Sequence, residues 1–465
     1  MLDPRIAPPL GLLYIIAWAR HHGWDTSGWH MVDHAVTCLQ PDAPVGHGSH
    51  DFSLERCMRD IPSGADIYGL QLASMQVAHG RAIARALRVR DPQAVIVFGG
   101  SHASAVPLEC ADPVVMRGGH ADYVVTREGE KAFCGLLDRF VAGDLPRRPN
   151  GGEIVTGEAV DPLDLLPFPA RDLIDIENDY TRRITGRVAT NAMISRSCPA
   201  RCSYCQMTSL WGDGPLRMHS PERLLAEVDD IRVNAPSLGG VLFVDDSLTA
   251  RKRSDMVTVA EGMSQRDLLW RGWTRANLLT RKGDNDMLRA MSQNGCTAIC
   301  IGVESGSDRV LKAIGKGTTV DINRRAIRAV AESGIDCRVS IMVGNPSETW
   351  DDVYALIDFV AEMSPWVSDW ILSSYVPLPG TPSWENPENY GLVIDKKKAR
   401  DTGYSHFYVV GGNEQSGMVH SYADGTGPTD IQRRHDAVQE TLLRRAPRER
   451  RRVTIGDITP AQAAK

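Results

Sequence analysis

The first third of the chain alternates short apolar runs with longer stretches of helical period. Apolar runs of four to eight residues that alternate with helical stretches are typical of strands that pair in parallel. The pattern therefore predicts a small parallel α/β domain over residues 1–140. Strands are predicted at 67–72, 94–98 and 123–125, and helices at 8–18 and 77–90.

A segment with several prolines and glycines and no sustained period, residues 141–187, predicts a linker. Six strand–helix repeats follow over 188–382, and right-handed crossovers curl such a parallel sheet into a full or partial barrel. The pattern weakens beyond 382, which makes 383–465 a C-terminal extension with one predicted helix at 429–445. Barrel strands are predicted at 189–195, 240–245, 269–274, 297–303, 337–343 and 370–376, and helices at 221–234, 284–294, 321–333 and 350–363.

The composition describes a soluble globular protein of 465 residues with 42% hydrophobic and 24% charged residues. No apolar run approaches the roughly 18 residues that span a bilayer, and the first residues lack the pattern of a signal peptide, which predicts a cytoplasmic protein. The formal net charge of −6 gives no indication of a nucleic-acid partner. A basic run at 444–452 is interpreted as a solvated helix end.

Three of the ten cysteines, Cys198, Cys202 and Cys205, lie on one predicted loop directly after the first barrel strand. Three thiolates on a compact loop can bind three corners of a 4Fe–4S cubane and leave the fourth iron without a protein ligand. The alternatives are buried structural cysteines or zinc, but zinc prefers four ligands and no fourth Cys or His is nearby on this loop. The other cysteines are not expected to form disulfides, and Cys296 and Cys300 are interpreted as core side chains.

The segment Ser197–Cys205 resembles the CxxxCxxC signature of the radical S-adenosylmethionine (SAM) superfamily. Segments that end the later predicted strands are similar to further motifs of this family, in the same order. The resemblance implies a partial (β/α)6 TIM-type barrel whose open iron binds SAM and cleaves it to a 5′-deoxyadenosyl radical. It also implies an external one-electron reductant of the flavodoxin or ferredoxin type.

The same resemblance implies which residues contact the polar groups of SAM. Asp245 and Asp246 stand where many members carry a glycine–glycine–glutamate that holds the methionyl amine. Arg275 would face the SAM carboxylate, and Glu304 the ribose hydroxyls. Each assignment has an alternative: the two aspartates as helix caps, Glu304 as an ordinary strand-end carboxylate and Arg275 as a surface ion pair.

The adenine contacts are implied by two further segments. Ser340 and Gly344 belong to a segment, 340–349, that resembles the fifth-strand motif packing the adenine. Tyr204, directly before the third cysteine, occupies the position of an aromatic side chain beside the adenine.

Residues 8–137 resemble the cobalamin-binding-type domain of one radical SAM subgroup, through segments 8–12, 98–103 and 126–130. In that subgroup the opening helix follows the first strand of a Rossmann-like sheet, and this chain begins too late to contain that strand. The aspartate–x–histidine–x–x–glycine ligand motif is also missing. We therefore expect a truncated, degenerate domain that does not hold cobalamin well, with His102 and His120 as hydrogen-bonded loop residues.

Among relatives without cobalamin, the chain looks most like the aminoglycoside diol dehydratases of apramycin and tobramycin biosynthesis. This resemblance implies hydrogen abstraction from a cationic aminosugar, loss of water, and a separate NADPH-dependent reductase acting on the product. A base near the radical carbon would assist loss of hydroxide, and the unassigned candidates are Glu348, Asp369, Tyr375 and Tyr204. The alternatives are a cobalamin-dependent radical SAM C-methyltransferase of secondary metabolism and a non-enzymatic Fe–S scaffold.

Overall fold

The computed structural model describes residues 7–38, 51–180, 182–212, 214–244, 247–404, 420–445 and 454–455. These residues form two parallel sheets with helices packed against them, together with two small antiparallel strand pairs. None of the helices in these ranges is long and apolar enough to cross a bilayer.

The N-terminal sheet has four parallel strands whose spatial order follows their order in the chain. The second strand is buried along almost its whole length, as expected for a central parallel strand covered on both faces. The strands are β1 (Ile67–Gln71), β2 (Val95–Gly99), β3 (Tyr123–Thr126) and β4 (Glu153–Thr156). The helices are α1 (Leu10–His21), α2 (His34–Thr37), α3 (Leu54–Asp60), α4 (Val77–Arg90), α5 (Ser101–Ala105), α6 (Pro107–Ala111) and α7 (Gly129–Val141).

The larger sheet confirms the predicted α/β half-barrel, with six parallel strands in chain order. A short antiparallel strand, Arg183–Ile184, extends one edge, and a two-residue strand, Thr454–Ile455, extends the other. Two further short strands, Ser195–Arg196 and Arg217–Met218, pair with each other outside this sheet. The strands are β5 (Arg183–Ile184), β6 (Arg187–Ala192), β7 (Ser195–Arg196), β8 (Arg217–Met218), β9 (Leu238–Phe243), β10 (Leu269–Arg275), β11 (Cys296–Glu304), β12 (Asp336–Val343) and β13 (Asp369–Ser374). The helices are α8 (Met207–Trp211), α9 (Pro221–Asn234), α10 (Arg253–Gln265), α11 (Asp284–Gln293), α12 (Asp308–Ala313), α13 (Val320–Glu332) and α14 (Trp350–Met363).

The segment predicted as a linker without regular structure contains two strands. β4 extends the N-terminal sheet in parallel with β3, and β5 turns back on β6. β4 has only four residues, with partly buried and exposed positions in alternation, so its apolar pattern is too weak to stand out from the prolines around it.

The C-terminal extension packs on both parts of the molecule. Trp384 and Tyr404 are buried in the apolar core of the N-terminal domain, whereas Val438 and Leu442 join the core of the half-barrel. The extension contains α15 (Pro382–Glu385), β14 (Leu392–Ile394), α16 (Lys396–Asp401), β15 (His420–Tyr422), α17 (Pro428–Arg445) and β16 (Thr454–Ile455).

Candidate functional site at the carboxyl edge of the half-barrel

The cysteine loop follows β6 and β7, at the carboxyl edge of the half-barrel. Cys202 is buried, and Cys198 and Cys205 are partly exposed. Among the described residues, only one group elsewhere brings three metal-ligating atoms within 4.8 Å of one another. The three loop cysteines do not form such a group, so at least two of their sulfurs lie more than 4.8 Å apart. In a cubane cluster each of three cysteines binds a different iron.

Arg275 lies beside this loop, at the end of β10. Its Nη1 is 3.5 Å from Cys202 Sγ, and its Nη2 donates to the backbone carbonyl of Lys316. The guanidinium is almost fully buried, so the alternative of a surface ion pair is wrong. A cation held here can stabilise thiolate charge and attract a carboxylate.

Glu304 is paired with a lysine that the sequence patterns did not indicate. Lys316 Nζ lies 2.8 Å from Glu304 Oε1 and 3.3 Å from the hydroxyl of Tyr204. A Cβ atom at Gly302 would lie 2.8 Å from both Glu304 Oε1 and Lys316 Nζ, so the glycine makes room for the pair. Burial, followed by the charge of Glu304, raises the pKa of Tyr204 and keeps its phenol protonated.

The end of β9 approaches the same loop. Asp245 and Asp246 lie outside the described residues. The next residue, Ser247, is buried, with its Oγ 3.7 Å from Cys198 Sγ. Ser247 is therefore next to the cysteine loop.

The segment after β12 is held by its own side chains and by the C-terminal extension. Ser340 is partly buried within β12. Glu348 accepts hydrogen bonds from the backbone N–H of Gly344 at 2.7 Å and from Asn345 at 3.0 Å. The carbonyl of Gly344 accepts a hydrogen bond from Tyr422. Burial raises the pKa of Glu348, and its oxygens stabilise this turn instead of facing an open space.

The remaining two candidate bases lie at opposite ends of β13. Asp369 is the first residue of that strand and forms an ion pair with Arg338 at 2.7 Å, at the end of the sheet away from the cysteine loop. Tyr375 directly follows the strand and is fully buried, and burial raises its pKa to about 12. Of these two residues, only Tyr375 therefore lies at the end of β13 that faces the edge with the cysteine loop.

A buried ion-pair network connects the cysteine loop to the N-terminal domain. Arg196, two residues before Cys198, donates to Glu128 at 2.7 Å and to Glu130 at 2.5 Å, and Arg217 also pairs with Glu128. All four side chains are almost completely buried. Sequence reasoning missed this network, because its members belong to motifs of two different domains.

The carboxyl edge of the N-terminal sheet is covered by other parts of the chain. His102, in the helix α5 that follows β2, contacts Ser74 Oγ at 3.1 Å and the ring of Tyr404 with a centroid distance of 4.7 Å. His120 contacts the carbonyl of Arg148 at 3.0 Å. A Cβ atom at Gly380 would lie 2.8 Å from that of Ala105, so the segment that closes the barrel packs directly against α5. His120 is thus a hydrogen-bonded loop residue, as predicted, whereas His102 is hydrogen-bonded but belongs to α5.

Known proteins resemble the half-barrel in sequence and most of the chain in fold. Residues 193–360 match the family described as Radical SAM superfamily. The uncharacterized methyltransferase PH0819 of Pyrococcus horikoshii is 26% identical over 395 residues, which cover 81% of this chain and 78% of that protein.

Two solved structures are similar over most of the chain. The cobalamin-dependent SAM radical enzyme OxsB, with aqua-cobalamin bound, has a TM-score of 0.63 and 17% identity over 90% of this chain and 62% of its own. The radical SAM methyltransferase TsrM from Kitasatospora setae, with cobalamin and a 4Fe–4S cluster bound, has a TM-score of 0.60 and 18% identity over 85% of this chain and 79% of its own. This chain therefore spans less than two thirds of OxsB, and both likenesses concern the fold.

Proposed function

We propose that this chain, whose residues 193–360 match the radical SAM superfamily, cleaves SAM reductively and abstracts a hydrogen atom from a small organic substrate. The observation that carries the proposal is the cysteine loop with a buried arginine beside it: Cys198, Cys202 and Cys205 at the carboxyl edge, and Arg275 at 3.5 Å from Cys202 Sγ. Such an edge is where parallel α/β barrels bind their ligands.

The three cysteines fit a 4Fe–4S cluster with one open iron, since the loop supplies three sulfurs and no fourth ligand. A cluster held there would supply the single electron that cleaves SAM into methionine and a 5′-deoxyadenosyl radical. The chain itself holds the charges in place. Arg275 stabilises the thiolates and attracts the SAM carboxylate, and Lys316 orients Glu304 toward the ribose.

The test is SAM cleavage by anaerobically reconstituted protein with dithionite, followed by chromatography of 5′-deoxyadenosine. The wild type should form 5′-deoxyadenosine, and Cys202→Ala should form none and lose the brown colour of the cluster. Cys337→Ala is the matched control, because that thiol is equally buried but lies near the opposite end of β12. Cleavage by Cys202→Ala, or its absence from a wild type with an intact cluster, would contradict the proposal.

The relatives favour methyl transfer as the fate of the substrate radical. PH0819 and TsrM are both described as methyltransferases, and OxsB as cobalamin-dependent. The first candidate function is therefore that of a radical SAM C-methyltransferase, the alternative that the sequence left open. The comparisons support methyl transfer better than dehydration.

The packing of the N-terminal domain favours a second candidate, dehydration of a diol without cobalamin. A corrin ring on the carboxyl edge of the N-terminal sheet would need the space that Tyr404 and the Gly380 segment occupy against His102 and Ala105. This packing supports a reaction that needs no cobalamin. An aminosugar diol, as in aminoglycoside intermediates, is the substrate class that the sequence resemblance suggests for this reaction.

One product analysis separates the two candidates. With SAM, a reductant and a panel of aminoglycoside intermediates, methyl transfer should yield S-adenosylhomocysteine together with 5′-deoxyadenosine. Dehydration should yield 5′-deoxyadenosine and methionine alone, with a product lighter by one water. Reconstitution with and without hydroxocobalamin tests the cofactor, because dehydration should be unaffected by its addition, whereas methyl transfer should require it.

A further inference from the structure

Two histidines and two cysteines of the N-terminal domain lie close together in space. All four are far from the cysteine loop along the sequence. His34 and Cys38 are four residues apart, so the single turn of α2 presents both on one face. Cys57 lies on α3 and His79 on α4. Three short elements therefore bring together two sulfurs and two imidazoles.

The distances between these side chains are those of ligands around one ion. Cys38 Sγ lies 3.4 Å from Cys57 Sγ, and Cys57 Sγ lies 3.2 Å from His79 Nε2. The ligand atoms of His34, Cys57 and His79 are all within 4.8 Å of one another. In a tetrahedral zinc site, bonds of about 2.0–2.3 Å place the ligand atoms about 3.3–3.8 Å apart. The separations from Cys57 Sγ to Cys38 Sγ and to His79 Nε2 match this geometry. Cys38 Sγ is not within 4.8 Å of both histidine ligand atoms, so it would move toward them when the ion binds.

The surroundings are those of a closed site. Cys38 and Cys57 are completely buried, and His34 Nε2 is buried without a hydrogen-bond partner among the described residues. A buried polar nitrogen without a partner is costly, unless a ligand occupies its lone pair. A metal ion would satisfy this nitrogen and both sulfurs at once.

We propose that His34, Cys38, Cys57 and His79 bind one structural Zn²⁺. Binding releases the two thiol protons, so two thiolates and two neutral imidazoles surround the cation. Two sulfur and two nitrogen donors in a tetrahedral, closed arrangement are a typical structural zinc set. The ion joins α2 and α3 to α4, and so fixes the segment that precedes β1 to the helix that follows it.

Two other uses of these side chains have different geometry. In a 2Fe–2S cluster with two cysteines and two histidines, sulfur and nitrogen ligands bind different irons, which does not agree with 3.2 Å between Cys57 Sγ and His79 Nε2. A disulfide between Cys38 and Cys57 would bring the sulfurs to about 2.05 Å and leave both histidines without a role. Both cysteines are free thiols in the structure.

The experiment measures zinc by mass spectrometry of metals in full-length protein purified from zinc-supplemented cultures. We expect about one zinc per chain in the wild type, and its loss in Cys57→Ala and His79→Ala. Cys134→Ala is the matched control, since this buried thiol belongs to the same domain but to a different core cluster. Cys202→Ala should keep the zinc and lose the iron, which separates this site from the cluster.

Variants that fail to fold do not decide the question, so two measurements use folded protein. Cys57→His replaces one donor by another and should retain zinc, and cobalt(II) bound to Cys202→Ala should show tetrahedral cobalt–thiolate absorption. A wild type without zinc would overturn the proposal. Equal zinc in Cys57→Ala, or a Cys38–Cys57 disulfide detected by non-reducing peptide mapping, would overturn it as well.

Discussion

Removal of the Arg196 guanidinium tests whether the buried network supports the cysteine loop. In Arg196→Met the apolar chain is kept, and Glu128 retains Arg217. Glu130 loses the ion-pair partner that lies at 2.5 Å. The substitution therefore leaves the buried carboxylate of Glu130 without its partner. The guanidinium that is removed lies two residues before Cys198 along the chain.

The expected cost follows from burial. The side chains of Arg196 and Glu130 are 4% and 3% exposed, and removing one partner of a buried pair costs about 3–5 kcal/mol. Glu130 also lies in the first turn of α7, where the helix dipole stabilises a negative charge. We therefore expect the lower end of this range, about 3 kcal/mol.

The assay is anaerobic urea unfolding followed by circular dichroism, together with iron content per chain. Arg139→Met is the matched control, because its ion pair with Glu153 is about one third exposed and should contribute about 0–1 kcal/mol. Adding Glu130→Gln to Arg196→Met should recover part of the loss, since the buried charge is removed. If Arg196→Met is no less stable than Arg139→Met, or if Glu130→Gln restores nothing, the reasoning is refuted.

Three more predictions concern single residues. Burial alone would raise the pKa of Glu128, but two neighbouring guanidinium groups lower it. The Glu128 carboxylate should therefore contribute fully to the free energy of unfolding above its ordinary pKa of 4.5. This contribution should vanish as pH falls through the lower pKa of the folded state. Glu128→Gln should therefore flatten the acid limb of stability against pH. Lys316→Met should raise the KM for SAM roughly tenfold by releasing Glu304, a change worth about 1.5 kcal/mol. Lys316→Arg should restore part of the affinity for SAM, and an unchanged KM in Lys316→Met would exclude a role of Lys316 in orienting Glu304. Gly344→Ala should lower the free energy of unfolding by about 1–3 kcal/mol, because φ is +75° and its Cβ would lie 2.9 Å from Ile431; unchanged thermal unfolding would contradict this.

The elements that sequence predicted best are those with local signals at their ends. Helices α9 and α14 begin and end at the residues that the sequence predicts. The Ser220 side chain accepts a hydrogen bond from the backbone of Arg223, and Thr349 pairs with Asp352 in the first turn of α14. Such caps depend only on neighbours in sequence. They can therefore be predicted without knowledge of the tertiary fold.

Site residues that depend on distant contacts could not be predicted in the same way. The partners of Arg196 are 68 and 66 residues away, and no pattern in either segment indicates the pairing. Lys316 has one local signal, since it stands between two glycines with positive φ, which indicates a constrained turn without indicating its function. The cysteines were found because their spacing alone defines the chemistry of the loop.

Gly100 shows how a cofactor motif can persist for another reason. The resemblance to the cobalamin-binding-type domain implies that the glycines after β2 leave space for a corrin ring. In the structure Gly100 has φ of +96°, and a Cβ there would lie 2.8 Å from the carbonyl oxygen of Leu72. The glycine is thus required by the approach of the loop after β1, whether or not a ligand binds. Its presence is therefore no argument for cobalamin. Tyr404, which contacts His102 at the same edge of the sheet, comes from a segment three hundred residues later in the chain.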